Sequence, residues 1–328
     1  MLANNNEAII NKLAKNSVKT NKKQYAILFF TIILSAFMLF CVFTIGMTYL
    51  DSSRLQNTRL NGAEYDILTM NGFTSEQLNT LRQNENIRSV GIESYAGFIQ
   101  STEYDKTVEI GLLWCDEVFW DNLMSPARTK LDGHYPQNKN ELMVTKDILK
   151  TCGNENLSVG DSLILTYENN TGVYTDEFII SGIWDGYGDT SAGFVSKAFY
   201  DETGYDLKND GILCIKLNRN YVFPATIQSI EKSLDFSDRQ IFAPTGYIEN
   251  SFKLLLGICG LALVICLSAY LLIYNILYLS VSGKIRYYGL LQSLGMTKKQ
   301  LVHFIIKQMI LVGILGIFIC LLYTSDAA

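Results

Sequence analysis

Chemistry at neutral pH would first be sought at the histidines, and there are two. His134 stands in the turn-like run DGHYPQ, and His303 sits at the edge of an apolar stretch. Neither belongs to an HExxH pair or to a Cys/His cluster with zinc-ligand spacing. The run GDTSAG, Gly188–Gly193, has the outline of a nucleophile elbow. Two residues rather than one separate Gly188 from Ser191, however, so it reads as a Gly-rich loop. GLLQSLGMT, Gly289–Thr297, has the outline of a phosphate-binding loop. It carries five residues between its glycines instead of four, and Met296 stands where a lysine would be needed to reach the phosphates. No ATPase is encoded by that loop.

Carboxylates are plentiful, Asp116, Glu117 and Asp121 among them, and they read as a solvated acidic surface rather than an acid–base pair. Cys41, Cys259, Cys266 and Cys320 lie in apolar runs, where thiols pack as small hydrophobes. Cys115, Cys152 and Cys214 lie in the polar middle of the chain; three thiols at irregular spacing make at most one disulfide and no framework. Asn275, inside an apolar run, reads as a helix–helix hydrogen-bonding group. No metal or cofactor is expected.

The elements that position these residues follow from where the apolar residues fall. Whole-chain values, 48% hydrophobic and mean hydropathy +0.15, conceal two long uncharged runs, Tyr25–Leu50 and Leu254–Val281. Each exceeds the roughly 20 residues a helix needs to cross a bilayer. The first is too long for a signal-peptide core and lacks a cleavage signature. A third run extends from Leu301 to Tyr323. Residues 1–24 hold Lys12, Lys15, Lys19, Lys22 and Lys23 against Glu7, and 282–300 holds Lys284, Arg286, Lys298 and Lys299 with no acid. Residues 51–250 hold 30 acidic and 16 basic side chains. Short basic segments stay in the cytoplasm, whereas long domains translocate largely regardless of charge. The N-terminus is therefore expected inside and 51–250 outside. No basic patch points to nucleic acid.

Within 51–250 the signals are mixed α/β. Glu64–Met70 suits a strand. Thr74 and Gln77 have capping-box spacing at the start of a helix whose Leu78 and Leu81 share a face. Ile87–Ile99 reads as strand again, giving a split βαβ opening. Ser162–Trp184 reads as a hairpin turning at Asn169–Gly172.

The segment Lys284–Leu301, KIRYYGLLQSLGMTKKQL, reads as helix, turn, helix. Tyr287, Leu290, Leu291 and Leu294 follow the i, i+3, i+4, i+7 pattern of one helix face, with Arg286, Gly289 and Ser293 off it. Gly295 is placed to close the first helix, and Thr297 with Gln300 to cap the second. Composition alone allows an inside loop lying on headgroups; a capped helix between two spans is also what a docking element looks like.

Residues 274–301, YNILYLSVSGKIRYYGLLQSLGMTKKQL, closely resemble the segment after the second span of FtsX-like, MacB-type ABC transporter permeases. That pattern runs aromatic-Asn, a basic pair, GLL, a glycine between apolar residues, Thr/Ser, a second basic pair and Gln-Leu. Leu131–Gly186 is similar to the same family's outer domain, and Leu13–Ser35 to its basic elbow and first span. The resemblance implies an α+β membrane protein in which transmembrane helices flank a large extracytoplasmic mixed α/β domain, the MacB-like periplasmic core domain. It divides the chain into a cytoplasmic amphipathic basic elbow helix (1–24), a first transmembrane helix (25–50) and the extracytoplasmic domain (51–250). A second transmembrane helix (253–281), a cytoplasmic coupling helix and turn (282–300), an incomplete third span (301–323) and a tail (324–328) that reads as appended sequence follow.

Such permeases carry a fourth span, and often a second copy of the unit. Met309–Tyr323 offers only 15 clean apolar residues, about 22 Å of helix, after Lys307 and Gln308, so the chain is expected to be C-terminally truncated. The resemblance further implies that the ATPase is a separate ABC ATP-binding subunit acting in trans, with a second permease half or a homodimer and the lipid bilayer as the other partners. The ATPase-docking residues would be Lys284, Arg286, Tyr287, Gly289, Leu290, Leu291, Leu294, Gly295 and Thr297. The work done would be mechanotransmission or export of a peptide, lipid or lipoprotein. The rival reading is a two-span receptor with an outer ligand-binding domain; it is disfavoured because the chain re-enters an apolar run within about 20 residues instead of continuing into a coiled coil or a catalytic domain.

Overall fold

A computed structural model describes residues 7–100, 110–187 and 192–325. In chain order the elements are α1 (Glu7–Thr20), α2 (Lys22–Asn61), β1 (Ile67–Met70), α3 (Ser75–Gln83), β2 (Ile87–Ile99), β3 (Ile110–Cys115), a short helical turn (Val118–Leu123), β4 (Arg128–Gly133), β5 (Glu141–Thr145) and α4 (Lys146–Thr151). There follow β6 (Ser162–Asn169), β7 (Gly172–Gly186), β8 (Ala192–Val195), α5 (Lys197–Tyr200), α6 (Leu207–Asp210), β9 (Ile212–Leu217), α7 (Pro224–Lys232), β10 (Ile241–Pro244), α8 (Gly246–Ser282), α9 (Ile285–Ser293) and α10 (Lys298–Ser325). The chain divides into two units, Met1–Thr48 with Leu255–Ala328, and Tyr49–Leu254. α2 and α8 contribute residues to both.

The Tyr49–Leu254 unit is built on one ten-stranded mixed sheet. β1 and β2 are both antiparallel to β9, which lies between them, and α3 connects them. β9 and β10 are likewise both antiparallel to β1 and joined by α7. The strand order β10–β1–β9–β2 is therefore that of two interleaved split βαβ units, the ferredoxin-like arrangement. β3 to β8 form an insertion between β2 and β9. β3 pairs with β2, β8 with β3, β5 with β8 and β7 with β5. β6 pairs with β7 and also with Phe98–Ile99 of β2, so these six strands close a ring of pairings.

Local chemistry sets the turns. Thr74 accepts from Gln77 N and Gln77 Oε1 from Thr74 N, the reciprocal box expected of that spacing. Asn169 pairs with Gly172 across the two-residue hairpin loop, and Asn169 Oδ1 accepts from the Thr171 and Gly172 amides at 2.8 and 3.2 Å. Both faces of the sheet are covered where β1, β9 and β2 lie side by side. Leu81 of α3 and Ile227 and Ile230 of α7 pack with Ile67, Leu213, Ile215 and Leu217 on one face. Phe119, Trp120 and Leu123 of the helical turn pack with Cys115, Cys214 and Trp184 on the other. β9 holds one buried cation, Lys216, whose Nζ lies 3.1 Å from Glu64 and 3.3 Å from Asp66; Asp66 also accepts from Leu217 N at 2.9 Å. An ammonium removed from water is tolerable only with such partners.

In the other unit, α2 and α8 pass the length and apolarity required to cross a membrane. α2, 40 residues, outlasts its apolar run because no breaker intervenes before Gly62, at φ 71°. α2 and α8 approach closely at Gly46, where an added Cβ would stand 2.6 Å from Ile258 Cδ1. α10 continues unbroken through Lys307 and Gln308 for 28 residues, about 42 Å. Those two polar residues face the chain itself: Gln308 is 3% exposed and accepts from Tyr25 Oη of α2 at 2.5 Å, and Lys307 lies 3.9 Å from Glu7 of α1.

Candidate functional site

The Lys284–Leu301 segment folds as a helix, a tight turn and a helix. α8 ends at Ser282, and Gly283 and Lys284 donate back to Leu279 O and Val281 O. α9 then runs for nine residues, too short to persist on propensity alone. It is held by packing: Tyr288, 7% exposed, and half-buried Leu291 lie against Ile10 and Ala14 of α1 and Leu301, Phe304 and Ile305 of α10. Its C-terminus is a Schellman motif. Gly295 at φ 99° donates to Gln292 O at 3.0 Å, and Met296 donates to Leu291 O at 3.1 Å. Thr297 N donates to Gln300 Oε1 at 3.0 Å and Gln300 N to Thr297 Oγ1 at 3.3 Å, so the box expected at the start of α10 is present.

One expectation fails. Tyr287, Leu290, Leu291 and Leu294 do not act as one face. Leu291 turns inward with Tyr288, whereas Leu290 and Leu294 are 60% and 77% exposed and Tyr287 is exposed beside them. The reason is angular. At 100° per residue Leu291 lies at the rim of the apolar arc nearest Tyr288, and α1 and α10 bury that rim. The inner ridge is Lys284, Tyr288, Leu291, with Gly295 at its end. Lys284 is half-buried, its Nζ 5.6 Å from the Tyr25 ring, so it belongs to this ridge rather than to a basic rim. Arg286, Gly289, Gly295 and Thr297 are exposed. Tyr288 was missed because the i, i+4, i+7 series it forms with Lys284 and Leu291 begins on a lysine and looks polar.

The other candidates resolve as structural groups. Asp116 accepts from Ile92 N at 2.9 Å and Phe119 N at 2.8 Å, pinning the helical turn to β2; burial pushes its carboxyl above the usual range against those bonds. Glu117 and Asp121 are exposed. Cys115, Cys152 and Cys214 are free thiols, and burial raises all three. His134 is exposed in the Tyr49–Leu254 unit, and His303 belongs to the other. Among the described residues no three His, Cys, Asp or Glu side chains cluster as metal ligands. Residues 188–191 of GDTSAG lie outside the described residues, as do 326–328 of the tail and 1–6 of the elbow. Asn275 is exposed, and among the described residues its side chain makes no helix–helix hydrogen bond of the kind expected of it.

Residues 259–325 match the family model described as FtsX-like permease C-terminal. The chain carries an FtsX-like permease segment. It takes in most of α8, all of α9 and α10, and so centres on the helix–turn–helix just described. No curated protein matches the chain. Solved structures similar to it include the periplasmic region of MacB from Actinobacillus actinomycetemcomitans, at 12% identity over 59% of this chain and 95% of that one, with TM-score 0.39. Another is the extracellular domain of the noncanonic ABC-type transporter YknZ from Gram-positive bacteria, at 12% identity over 55% and 98%, with TM-score 0.36. The FtsX-like segment thus lies outside the sheet unit, whose fold stands on its own strand pairings.

Proposed function

We propose that this chain is the permease subunit of an ABC transporter, with α9 as the element on which a separate ATP-binding subunit docks. The observation that carries the reading is that the FtsX-like segment centres on a short helix held by its inner ridge, leaving a second apolar ridge of Tyr287, Leu290 and Leu294 beside Arg286 open to solvent. An exposed apolar ridge on a rigidly capped helix is what a docking partner requires. In this reading the N-terminus and α9 are cytoplasmic, and 51–250 is extracytoplasmic. ATP-driven closure of the partner shifts α9, and the movement passes through α2 and α8, the two covalent links to the 51–250 domain, to a peptide, lipid or lipoprotein cargo. A second permease half or a second copy completes the assembly.

The test is co-purification with an ABC ATP-binding subunit, together with stimulated ATP hydrolysis. Leu290→Asp and Leu294→Asp should each abolish association by placing an unpaired charge in the interface, while insertion into the membrane persists. Arg286→Ala should cost far less, about 0–1 kcal/mol for an exposed charge. Association unchanged in both leucine variants would reduce α9 to an inside loop.

A further inference from the structure

α1 has two faces of opposite chemistry. Ile10 and Ala14 are buried against α9 and α10. Lys12, Lys15 and Lys19, at i, i+3 and i+7, share the opposite face, and all three are exposed. Lys22 and Lys23 follow in the first turn of α2, also exposed. Among the described residues none of the five is within ion-pairing distance of a carboxylate; Glu7, the acid on α1, is turned to His303 and Lys307 instead.

The position of this stripe is fixed by contacts with α10. Glu7 reaches His303 at 3.8 Å and Lys307 at 3.9 Å, Ile10 and Ala14 lie with Phe304, and Tyr25 bonds Gln308. A straight helix would carry Glu7 about 27 Å from Tyr25. Here both reach the same short stretch of α10, so the chain bends at Asn21, between α1 and α2. Tyr25 opens the long apolar run of α2. α1 ends at Thr20, just before that run begins; with α2 read as a span, the start of the run falls where hydrocarbon gives way to headgroups.

We infer that the lysine stripe of α1, with Lys22 and Lys23, is a contact surface for anionic phospholipid headgroups of the leaflet at that end. Five like charges with no carboxylate paired to them among the described residues suit an anionic surface, and their place beside the apolar run favours the membrane over a protein partner. The inference rests on the reading of α2 as a membrane span, and not on what docks on α9. Because the opposite face of α1 holds Tyr288 and Leu291, anionic lipid would also steady the base on which α9 sits.

The test uses the full chain in phosphatidylcholine vesicles, with spin-labelled phosphatidylglycerol or spin-labelled phosphatidylcholine as the probe. The fraction of immobilised label gives the relative association constant. Charge near an anionic surface contributes about fivefold per lysine. The wild-type chain should prefer phosphatidylglycerol, K12Q/K15Q/K19Q should lose about fivefold or more of that preference, and K130Q/K146Q/K150Q, an equal charge change at exposed lysines of the sheet unit, should keep it. Equal preference in the stripe variant and the wild type, or an equal fall in the control, overturns the inference. So does an unchanged lipid preference accompanied by lost co-purification of the ATP-binding subunit, which would give the stripe to that protein. Release of the wild-type chain from vesicles by alkaline carbonate would instead overturn the membrane-span reading, and the inference with it.

Discussion

Replacing Gly295 should loosen α9 through the backbone alone. Gly295 stands at φ 99°, and a Cβ built on it meets nothing within 4 Å. Any effect of Gly295→Val is therefore not a clash. It is the cost of holding an L-residue in left-handed geometry, about 1–2 kcal/mol and at the upper end for a β-branched side chain. That cost falls on the two Schellman hydrogen bonds, from Gly295 to Gln292 and from Met296 to Leu291, which end a helix of only nine residues. A local opening made easier by about 1–2 kcal/mol exchanges its amides about 5- to 30-fold faster. Hydrogen–deuterium exchange of the full chain in micelles, followed by mass spectrometry on the peptide covering Ile285–Met296, reads this directly. Gly289→Ala supplies the opposite sign. Gly289 lies mid-helix, has open space around its Cα and no left-handed φ, so alanine there should stabilise by about 0.5–1 kcal/mol and slow the same exchange. Unchanged exchange in Gly295→Val, or faster exchange in Gly289→Ala, would refute the view that the turn glycine and not the packing sets the end of α9.

Two further outcomes are expected. Glu93 on β2 is pushed up to about 7 by burial, above its usual range near 4.5. A raised folded-state value means a stability contribution present at acid pH and lost as pH rises through 7. The sheet unit should therefore resist pulse proteolysis better at pH 5 than at pH 8, by up to about 3 kcal/mol, and Glu93→Gln should flatten that dependence. In a cysteine-free background, a cysteine placed at the exposed hairpin residue Asn170 should react with an impermeant maleimide in intact cells, and one at Asn16 should not; the reverse pattern would invert the proposed topology.

What could be read from the sequence was local or compositional. A capping box needs only two side chains three residues apart, and both the Thr74–Gln77 and the Thr297–Gln300 boxes formed as written. Gly295 closes α9 because no other residue type takes positive φ so cheaply. Asn169–Gly172 turns a hairpin because the Asn169 side chain, three residues before the turn closes, takes up the Thr171 and Gly172 amides. The long apolar runs announce helices of membrane length, because lipid leaves the backbone few other ways to satisfy its polar groups. The β1–α3–β2 opening was legible from its alternating periods. That β9 would slip between β1 and β2, or that β6 would close back on β2, was not, since pairing partners lie far apart in sequence and any buried strand of suitable pattern competes for them. The inward turn of Gln308 and Lys216 was invisible for a like reason: a polar residue is buried only where its partner, Tyr25 in one case and Asp66 with Glu64 in the other, is brought to it by the fold. On α9 the sequence determined a helix with an apolar arc. Which edge of the arc is buried and which is left open was decided by α1 and α10, because an isolated helix of nine residues has no inside until another element packs against it.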